Sequence, residues 1–371
     1  MSEPGAEDAR FLVTDRVRHA FDGTPVLRDI DLALPRGSLT CLIGPTGCGK
    51  TTLLRAIAGF LRPDGGRVRI GGHDVTDLDP ARRGIGFVYQ DLALFDHMSV
   101  HGNVGFGLRA RSVRGRELER RVGDMLARVG LTGFGGRRPT TLSGGQRQRV
   151  ALARALVFEP DILLLAEPFA ALDKNVRAQM QQEVRRLQQE LGITTILVTH
   201  DQQEALRLAD VLVIMREGRI EQRGAPRELY TRPASVFTAR FLGDANLFEG
   251  HFRTSPPRLE GALELRLSAA PPGLDDGRRA TAMIRPEDVG LRAVEPGDGR
   301  RRGDDDSALE GIVEDRAFTG VTTEYTVRIR PADVLVRVLA SGTEAGGHAR
   351  GTPVWLSFPR ERVSLIPEEP A

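Results

Sequence analysis

One stretch of the sequence decides the fold: Gly44-Pro45-Thr46-Gly47-Cys48-Gly49-Lys50-Thr51. Its spacing is that of a phosphate-binding loop. Glycines let successive backbone N–H groups turn inward around a polyphosphate, which a Cβ atom would obstruct. The Lys50 ammonium can reach the terminal phosphates, and the Thr51 hydroxyl can bind Mg²⁺. The stretch therefore predicts a site for a nucleoside triphosphate with Mg²⁺.

The residues on either side of this loop supply the context that the motif requires. Residues 39–43 form an apolar run typical of a buried strand, and residues 52–58 have the pattern of a helix. A helix N-terminus favours an anion, so Thr52 joins the phosphate-binding candidates. A glycine turn between a strand and a helix needs no ligand, but the combined pattern favours the phosphate site.

The composition of the chain argues against several classes of function. The 371 residues suffice for two or three domains, and a formal net charge of +2 argues against nucleic-acid binding as the main task. No apolar run has the length of a membrane span or of a secretory signal, so we expect a soluble, cytoplasmic protein. The two cysteines, Cys41 and Cys48, are too few for a disulfide framework. The chain has only two lysines, Lys50 and Lys174, and a lysine kept in the phosphate loop suggests a chemical need.

Hydrophobic patterning divides the chain into three parts. Residues 1–9 are polar and acidic, and we expect a flexible N-terminus there. Residues 10–242 alternate apolar runs with amphipathic stretches, which predicts an α/β domain with a largely parallel sheet and a helical insertion over about 91–158. Residues 243–371 carry short alternating runs, which predicts a small all-β barrel or sandwich.

A second glycine-rich motif lies further along the chain: Leu142-Ser143-Gly144-Gly145-Gln146. Its glycine N–H groups, serine hydroxyl and following helix N-terminus would form another phosphate site. Ser143 could instead be a simple helix cap. The motif resembles the signature of ATP-binding cassette (ABC) ATPases. That resemblance covers about residues 10–367 and implies a P-loop NTPase fold, with a RecA-like core and a helical subdomain, that binds ATP with Mg²⁺.

Five further positions match elements of that family. The resemblance implies that Phe21 stacks on adenine, although it could be an ordinary core phenylalanine. It also implies that Gln90 binds Mg²⁺ and the attacking water, that Glu167 is the catalytic base, and that Asp173 belongs to the nucleotide site. His200 matches a histidine that contacts the γ-phosphate, although a histidine at a strand end is often structural. A carboxylate at 167 could accept a proton from water at the γ-phosphate.

One position departs from the family pattern. Where the family has Asp before the catalytic Glu, this chain has Ala166. Asp161 cannot replace it, since five strand residues separate the two by roughly 16 Å. Loss of an outer-shell partner of a metal typically lowers metal affinity ~10–100-fold. With Thr51 and Gln90 left as protein ligands, we expect ATP to bind while Mg²⁺ binding and turnover are impaired.

The two glycine motifs also imply a partner. In this family, the phosphate loop of one domain and the signature of another close on the same nucleotide. The chain carries one copy of each, so we expect a homodimer or a pair with a related ATPase subunit.

Two further segments resemble bacterial importer ATPases. Residues 90–100 resemble the segment on which two transmembrane permease subunits dock, and Ile284-Arg285-Pro286-Glu287-Asp288 resembles the TOBE domain, an OB-like regulatory domain. An importer role implies a peripheral position on the inner face of the cell membrane and an indirect link to an extracytoplasmic solute-binding protein. We expect a polyamine as cargo, with ferric iron, phosphonate, sulfate, molybdate or sugar as alternatives.

Two other functions stay open at this point. The altered position 166 could make the chain a nucleotide-binding regulator or a partner of a competent subunit. A soluble cassette protein acting on nucleic acid is the other, but such proteins often carry two cassettes or a long coiled-coil insertion, and neither pattern occurs here. The β-rich tail also lacks a basic stripe with interleaved aromatic residues.

Overall fold

The computed structural model describes residues 10–270, 273–294, 307–330, 332–341 and 347–368. It divides into two compact units, Met1–Pro226 and Arg227–Ala371. The flexible N-terminus expected over residues 1–9 lies outside the described residues. The division between the units comes earlier in the chain than the boundary expected at 242–243.

The first unit contains both strands and helices. Its strands are β1 (Leu12–Phe21), β2 (Thr24–Leu34), β3 (Leu39–Ile43), β4 (Gly65–Ile70), β5 (His73–Asp74), β6 (Ile85–Val88), β7 (Ile162–Ala166), β8 (Thr194–Val198), β9 (Val211–Arg216) and β10 (Arg219–Gly224). Its helices are α1 (Lys50–Ala58), α2 (Val100–Val104), α3 (Phe106–Ala110), α4 (Gly115–Arg128), α5 (Gly144–Leu156), α6 (Lys174–Leu191) and α7 (Gln202–Leu208). Helices α2 to α5 fall in the segment where the sequence predicts a helical insertion.

The central sheet has the strand order β10-β9-β3-β8-β7-β6. All pairings among β3, β6, β7, β8 and β9 are parallel, and only the edge strand β10 runs antiparallel. β3 and β8 are buried at every position, as expected for parallel strands covered on both faces. The predicted α/β architecture is therefore confirmed, and the carboxyl ends of four neighbouring strands, β3, β8, β7 and β6, meet at one edge.

A separate antiparallel sheet has the order β2-β1-β4-β5. β1 and β2 form a hairpin in which Phe21 pairs with Thr24. The connecting residues Asp22 and Gly23 have φ angles of 48° and 79°. Two consecutive positive φ angles are what a tight hairpin turn requires, and Asp-Gly suits it. The turn leaves Phe21 at the tip of the hairpin.

The second unit is mostly β-structure, and short helices precede its strands. Its helices and strands are α8 (Pro226–Thr231), α9 (Val236–Phe241), β11 (Asn246–Thr254), β12 (Pro257–Gly261), β13 (Glu264–Arg266), β14 (Arg279–Ile284), β15 (Gly290–Ala293), β16 (Ser307–Phe318), β17 (Thr322–Ile329), β18 (Val334–Ser341), β19 (Pro353–Phe358) and β20 (Ser364–Pro367). They form antiparallel sheets of order β13-β12-β11-β14-β20 and β15-β19-β16-β17-β18. Both sheets contribute to one apolar core, which contains Phe252 and Tyr325. The predicted all-β tail is confirmed.

Arg285 explains why the second unit begins before residue 243. Its side chain is 1% exposed. It donates hydrogen bonds to the carbonyl oxygens of Tyr230, Ala239, Gly243 and Asp244, at 2.9 to 3.1 Å. A buried cation needs such partners, so the segment around α8 and α9 is fixed to the same unit as β14.

Candidate nucleotide site

The register of the parallel sheet aligns the strand ends that carry the candidate residues. Leu42 lies opposite Val198, and Val198 lies opposite Ala166. Val88 pairs with Leu165 at the far side of β7. The loops that follow β3, β8, β7 and β6 therefore succeed one another along a single edge. They carry, in that order, Lys50, His200, Glu167 and Gln90.

The phosphate loop needs glycine for two reasons. Gly44, Gly47 and Gly49 have φ angles of 155°, 82° and 103°, a region that other residues rarely adopt. A Cβ atom on Gly44 would also lie 2.3 Å from the Met215 carbonyl oxygen, and one on Gly49 would lie 2.8 Å from that of Val26. Helix α1 begins at Lys50 without a side-chain cap, so its first N–H groups are left for an anion.

Lys50 is held inside this loop. Its side-chain nitrogen donates to the carbonyl oxygens of Gly44 (2.8 Å) and Pro45 (2.9 Å), and it lies 3.7 Å from the Cys48 sulfur. The residue is 8% exposed. Within the part of the chain that the structure describes, it forms no ion pair with a carboxylate. A buried ammonium without a counter-charge in a glycine cradle fits an anionic ligand such as a polyphosphate.

Glu167 and His200 come together at the ends of neighbouring strands. His200 Nδ1 lies 3.4 Å from Glu167 Oε2. The Glu167 backbone N–H donates to the Val198 carbonyl oxygen at 2.9 Å, and Glu167 has a φ of 48°. A left-handed φ at a residue other than glycine costs of order 1–3 kcal/mol and is typical of functional sites. The backbone is thus bent so that the carboxylate faces the histidine.

A buried carboxyl group that the sequence analysis missed lies beside this pair. Glu204 is 5% exposed and lines the same small cleft as Glu167 and His200. Its Oε1 accepts a hydrogen bond from Gln181 Nε2 at 2.9 Å, and burial raises the pKa of the Glu204 carboxyl above its ordinary range. Its position in the helix after His200 was the available signal.

Ala166 ends β7 at the edge where the site lies. Its partly buried methyl group packs against the apolar core that contains Leu164 and Val198. Asp161 precedes β7 at the opposite end of the strand, and its N–H donates to the Gly84 carbonyl oxygen at 2.8 Å. Asp161 and residue 166 therefore lie at opposite ends of β7.

Gln90 is exposed at the end of β6, and the segment after it is tightly held. Leu92 and Ala93 have φ angles of 61° and 43°. Their carbonyl oxygens accept hydrogen bonds from Arg154 of α5, at 2.7 and 2.6 Å. Burial lowers the pKa of the Arg154 guanidinium. Sequence reasoning missed this contact, which ties the helix of the second glycine motif to the loop that carries Gln90.

The second glycine motif forms a helix cap. Ser143 Oγ accepts from the Gln146 N–H (3.3 Å), and Gln146 Oε1 accepts from the Ser143 N–H (3.0 Å). This reciprocal pair is a capping box, so the cap considered from the sequence is present. A Cβ atom on Gly145 would lie 3.0 Å from Val176 Cγ1, while one on Gly144 would meet Leu172 at 3.5 Å.

Asp173 and Phe21 have different environments. The Asp173 carboxylate caps α6, where it accepts from the N–H groups of Asn175 (3.1 Å) and Val176 (3.0 Å). Phe21 is 46% exposed, so it is not a core phenylalanine. Its exposed ring is available to stack on a ligand.

Comparisons with known proteins decide the family. An ABC transporter model matches residues 27–170, and a TOBE domain model matches residues 282–366. The spermidine/putrescine import ATP-binding protein PotA of Marinobacter nauticus is 41% identical over 362 residues, which is 94% of this chain and 93% of that protein. The chain belongs to the ATP-binding proteins of ABC transporters. It is an ABC-type ATPase with a C-terminal TOBE domain.

Other relatives agree with this assignment. PotA of Frankia alni is 42% identical over 358 residues, which is 93% of this chain and 76% of that protein. The solved structure of cbiO1 from Clostridium perfringens, part of the ABC transporter complex cbiONQ, has a TM-score of 0.56 and 33% identity. It covers 60% of this chain and 90% of that one. Among the described residues of this ABC ATPase, no helix is both long and apolar enough to cross a membrane.

Proposed function

We propose that this ABC ATPase is the ATP-hydrolysing subunit of a bacterial importer for a polyamine of the spermidine or putrescine type. The observation that carries the ATPase role is the alignment of Lys50, in its glycine loop, with the Glu167–His200 pair at a neighbouring strand end. The polyamine cargo is supported by relatives named spermidine/putrescine import proteins that are 40–43% identical over most of the chain.

Three residues of the site have different roles in ATP hydrolysis. The Lys50 ammonium exchanges the neutral carbonyl oxygens of Gly44 and Pro45 for phosphate oxygens, which is favourable because the new acceptors carry negative charge. Glu167 accepts a proton from the attacking water. His200, at 3.4 Å, fixes the direction of the Glu167 carboxylate and reaches toward the terminal phosphate.

The residues present fit Mg²⁺ only in part. The Thr51 hydroxyl and the Gln90 amide offer the oxygen ligands that Mg²⁺ prefers, whereas Ala166 offers a methyl group at the strand end between them. Mg²⁺ supplies neutralisation of the charge on the phosphates. Loss of the carboxylate that would orient its shell lowers metal affinity by ~10–100-fold. This supports a second candidate, a nucleotide-binding subunit that hydrolyses ATP slowly and acts as a regulator or as the partner of a competent subunit.

Three features of the chain point to its partners: the phosphate loop, the second glycine motif and exposed aromatic residues near Gln90. The phosphate loop and residues 143–146 each need a counterpart, which a second copy or a related ATPase subunit provides. Phe60, Tyr89 and Phe106 are exposed aromatic residues on both sides of the segment after Gln90. We infer that two permease subunits dock there, which places the chain on the inner face of the cell membrane and links it indirectly to an extracytoplasmic solute-binding protein. The ring centroids of Phe60 and Tyr89 are 6.1 Å apart, and grouped exposed apolar side chains of this kind are typical of a docking surface.

Uptake measurements test the cargo. Cells that lack this chain should lose uptake of labelled spermidine or putrescine, and the chain itself should restore it while Lys50→Ala should not. Unchanged polyamine uptake, together with loss of ferric iron, phosphonate, sulfate, molybdate or sugar uptake, would replace the polyamine by that cargo and leave the ATPase assignment intact.

A further inference from the structure

His19 is a buried histidine whose ring nitrogens have no hydrogen-bond partner. It lies on β1 and is 8% exposed, and both Nδ1 and Nε2 are unsatisfied. Its Nδ1 lies 3.3 Å from Asp64 Oδ1, without the alignment of a hydrogen bond. Buried polar groups are normally paired, so this side chain calls for a functional account.

The closest aromatic contact of His19 is with Phe21. The ring centroids are 4.6 Å apart and the ring planes meet at 83°. Residues two apart on a strand point to the same face, and the edge-to-face arrangement is one that aromatic pairs favour. His19 therefore supports one side of the Phe21 ring while the rest of that ring stays open to solvent.

Asp64 fixes His19 from both sides. Its Oδ2 accepts a hydrogen bond from the Ala20 N–H at 2.7 Å, and its own N–H donates to the Arg18 carbonyl oxygen at 2.9 Å. The pairing of β1 with β2 is irregular on either side of His19. Asp64 thus holds the backbone before and after His19 where the strand ladder is distorted, and its carboxylate lies beside the imidazole.

The same hairpin lies against the phosphate loop. His19 pairs with Leu27 of β2, and a Cβ atom on Gly49 would lie 3.0 Å from Leu27 Cδ2. Leu27 thus lies between His19 on the neighbouring strand and Gly49 of the phosphate loop. We propose that His19, braced by Asp64, is a positioning residue that holds the Phe21 ring for stacking on the adenine of ATP. The proposal rests on the adenine-stacking role of Phe21 in the proposed function.

Calorimetric titration with ATP and with inorganic tripolyphosphate, which has no base, separates positioning from folding. His19→Ala should weaken ATP binding about 3- to 10-fold, the scale of one aromatic pair, and leave tripolyphosphate binding unchanged. Phe21→Ala should weaken ATP binding about 10-fold or more, as expected for the loss of a stacked base. The double variant should bind ATP no more weakly than Phe21→Ala alone, because His19 acts only through that ring.

Two further variants complete the titration experiment. Asp64→Asn keeps an oxygen for the Ala20 N–H but removes the charge that faces His19, so it should lower ATP affinity about 2- to 5-fold and spare tripolyphosphate. His73→Ala is the matched control, since His73 is exposed on the same antiparallel sheet. It should change neither affinity.

The outcomes that would contradict the role of His19 differ from those that would contradict the proposed phosphate site. Equal weakening of both ligands by His19→Ala, or additive losses in the double variant, would make His19 merely structural. Should His19→Ala fail to fold, an unchanged ratio of the two affinities in Asp64→Asn would overturn the proposal instead. Full ATP affinity in Phe21→Ala would remove the role of Phe21 and the proposal with it, whereas the proposed phosphate site fails only if tripolyphosphate does not bind the unmodified chain.

Discussion

The loops after β3 and β7 follow two strands of one sheet that are separated only by β8. They differ in how closely their sequences match the family pattern. The loop after β3 matches the phosphate-binding pattern at every position from Gly44 to Thr51. The end of β7 and the loop after it carry Glu167, the proposed base, and Ala166, which stands where the family pattern has a carboxylate. The comparison suggests that binding of the polyphosphate and its hydrolysis depend on separate parts of the chain.

The physical reason lies in what each position demands. At Gly44 any side chain would collide with the Met215 carbonyl oxygen, so the fold itself requires glycine. At residue 166 the side chain packs against apolar neighbours and a methyl group is accommodated. Packing therefore tolerates alanine at residue 166, and we expect any effect of the change to be on the chemistry.

The largest expected effect is on the base in the β7 loop. Glu167→Gln keeps the side-chain volume but removes the proton acceptor, so hydrolysis should fall ~10²–10⁴-fold. ATP affinity should stay the same, since binding belongs to the β3 loop. Single-turnover phosphate release measures the rate, and Glu159→Gln, in the loop before β7, is the control. An unchanged rate would show that Glu167 is not the base.

The corresponding change in the β3 loop should affect binding itself. Lys50→Ala removes a charged donor to the phosphates and should weaken ATP binding ~100-fold. The only other lysine in the chain, Lys174, supplies the control variant Lys174→Ala. Equilibrium binding of labelled ATP measures both variants. If the two variants bound ATP equally well, the comparison between the loops would break down.

An aspartate at position 166 should make the β7 end match the family pattern, as the loop after β3 already does. Ala166→Asp should raise Mg²⁺ affinity ~10–100-fold and increase turnover when Mg²⁺ is limiting. The advantage should shrink as Mg²⁺ saturates and vanish when a chelator removes it. Ala127→Asp, on the exposed face of α4, controls for the added charge. Equal ATPase rates at low Mg²⁺ would mean that Ala166 does not limit the enzyme.

The smallest expected effect concerns the loop after β6, at the far end of the same edge. Arg154→Ala releases the carbonyl oxygens of Leu92 and Ala93, whose left-handed backbone it stabilises. Loss of about 1–2 kcal/mol of local stability should speed amide exchange over residues 90–95 about 10-fold. ATP affinity should not change. Arg116→Ala, exposed on α4, is the control, and exchange that is no faster than in this control would remove the proposed clamp.

Much of the site could be predicted from the sequence because its requirements are local. Glycine positions, the lysine and the hydroxyl at fixed spacing specify a phosphate loop through backbone geometry alone. The parallel order of strands then places Glu167 and His200 on one edge. The departure at Ala166 was visible for the same reason, since it is a matter of residue identity at a set position.

The remaining features depended on contacts between distant parts of the chain. The imidazole of His19 meets Asp64, Arg154 reaches the loop after β6, and Arg285 binds carbonyl groups from Tyr230 to Asp244. Neither the spacing nor the type of these residues reveals such partners, because side-chain packing selects them once the strands and helices are in place. The sequence by itself determined the family, the phosphate loop and the altered β7 end. Only the tertiary structure decided how the β1–β2 hairpin is held around His19 and where the second unit begins, since burial and long-range hydrogen bonds exist only in the folded chain.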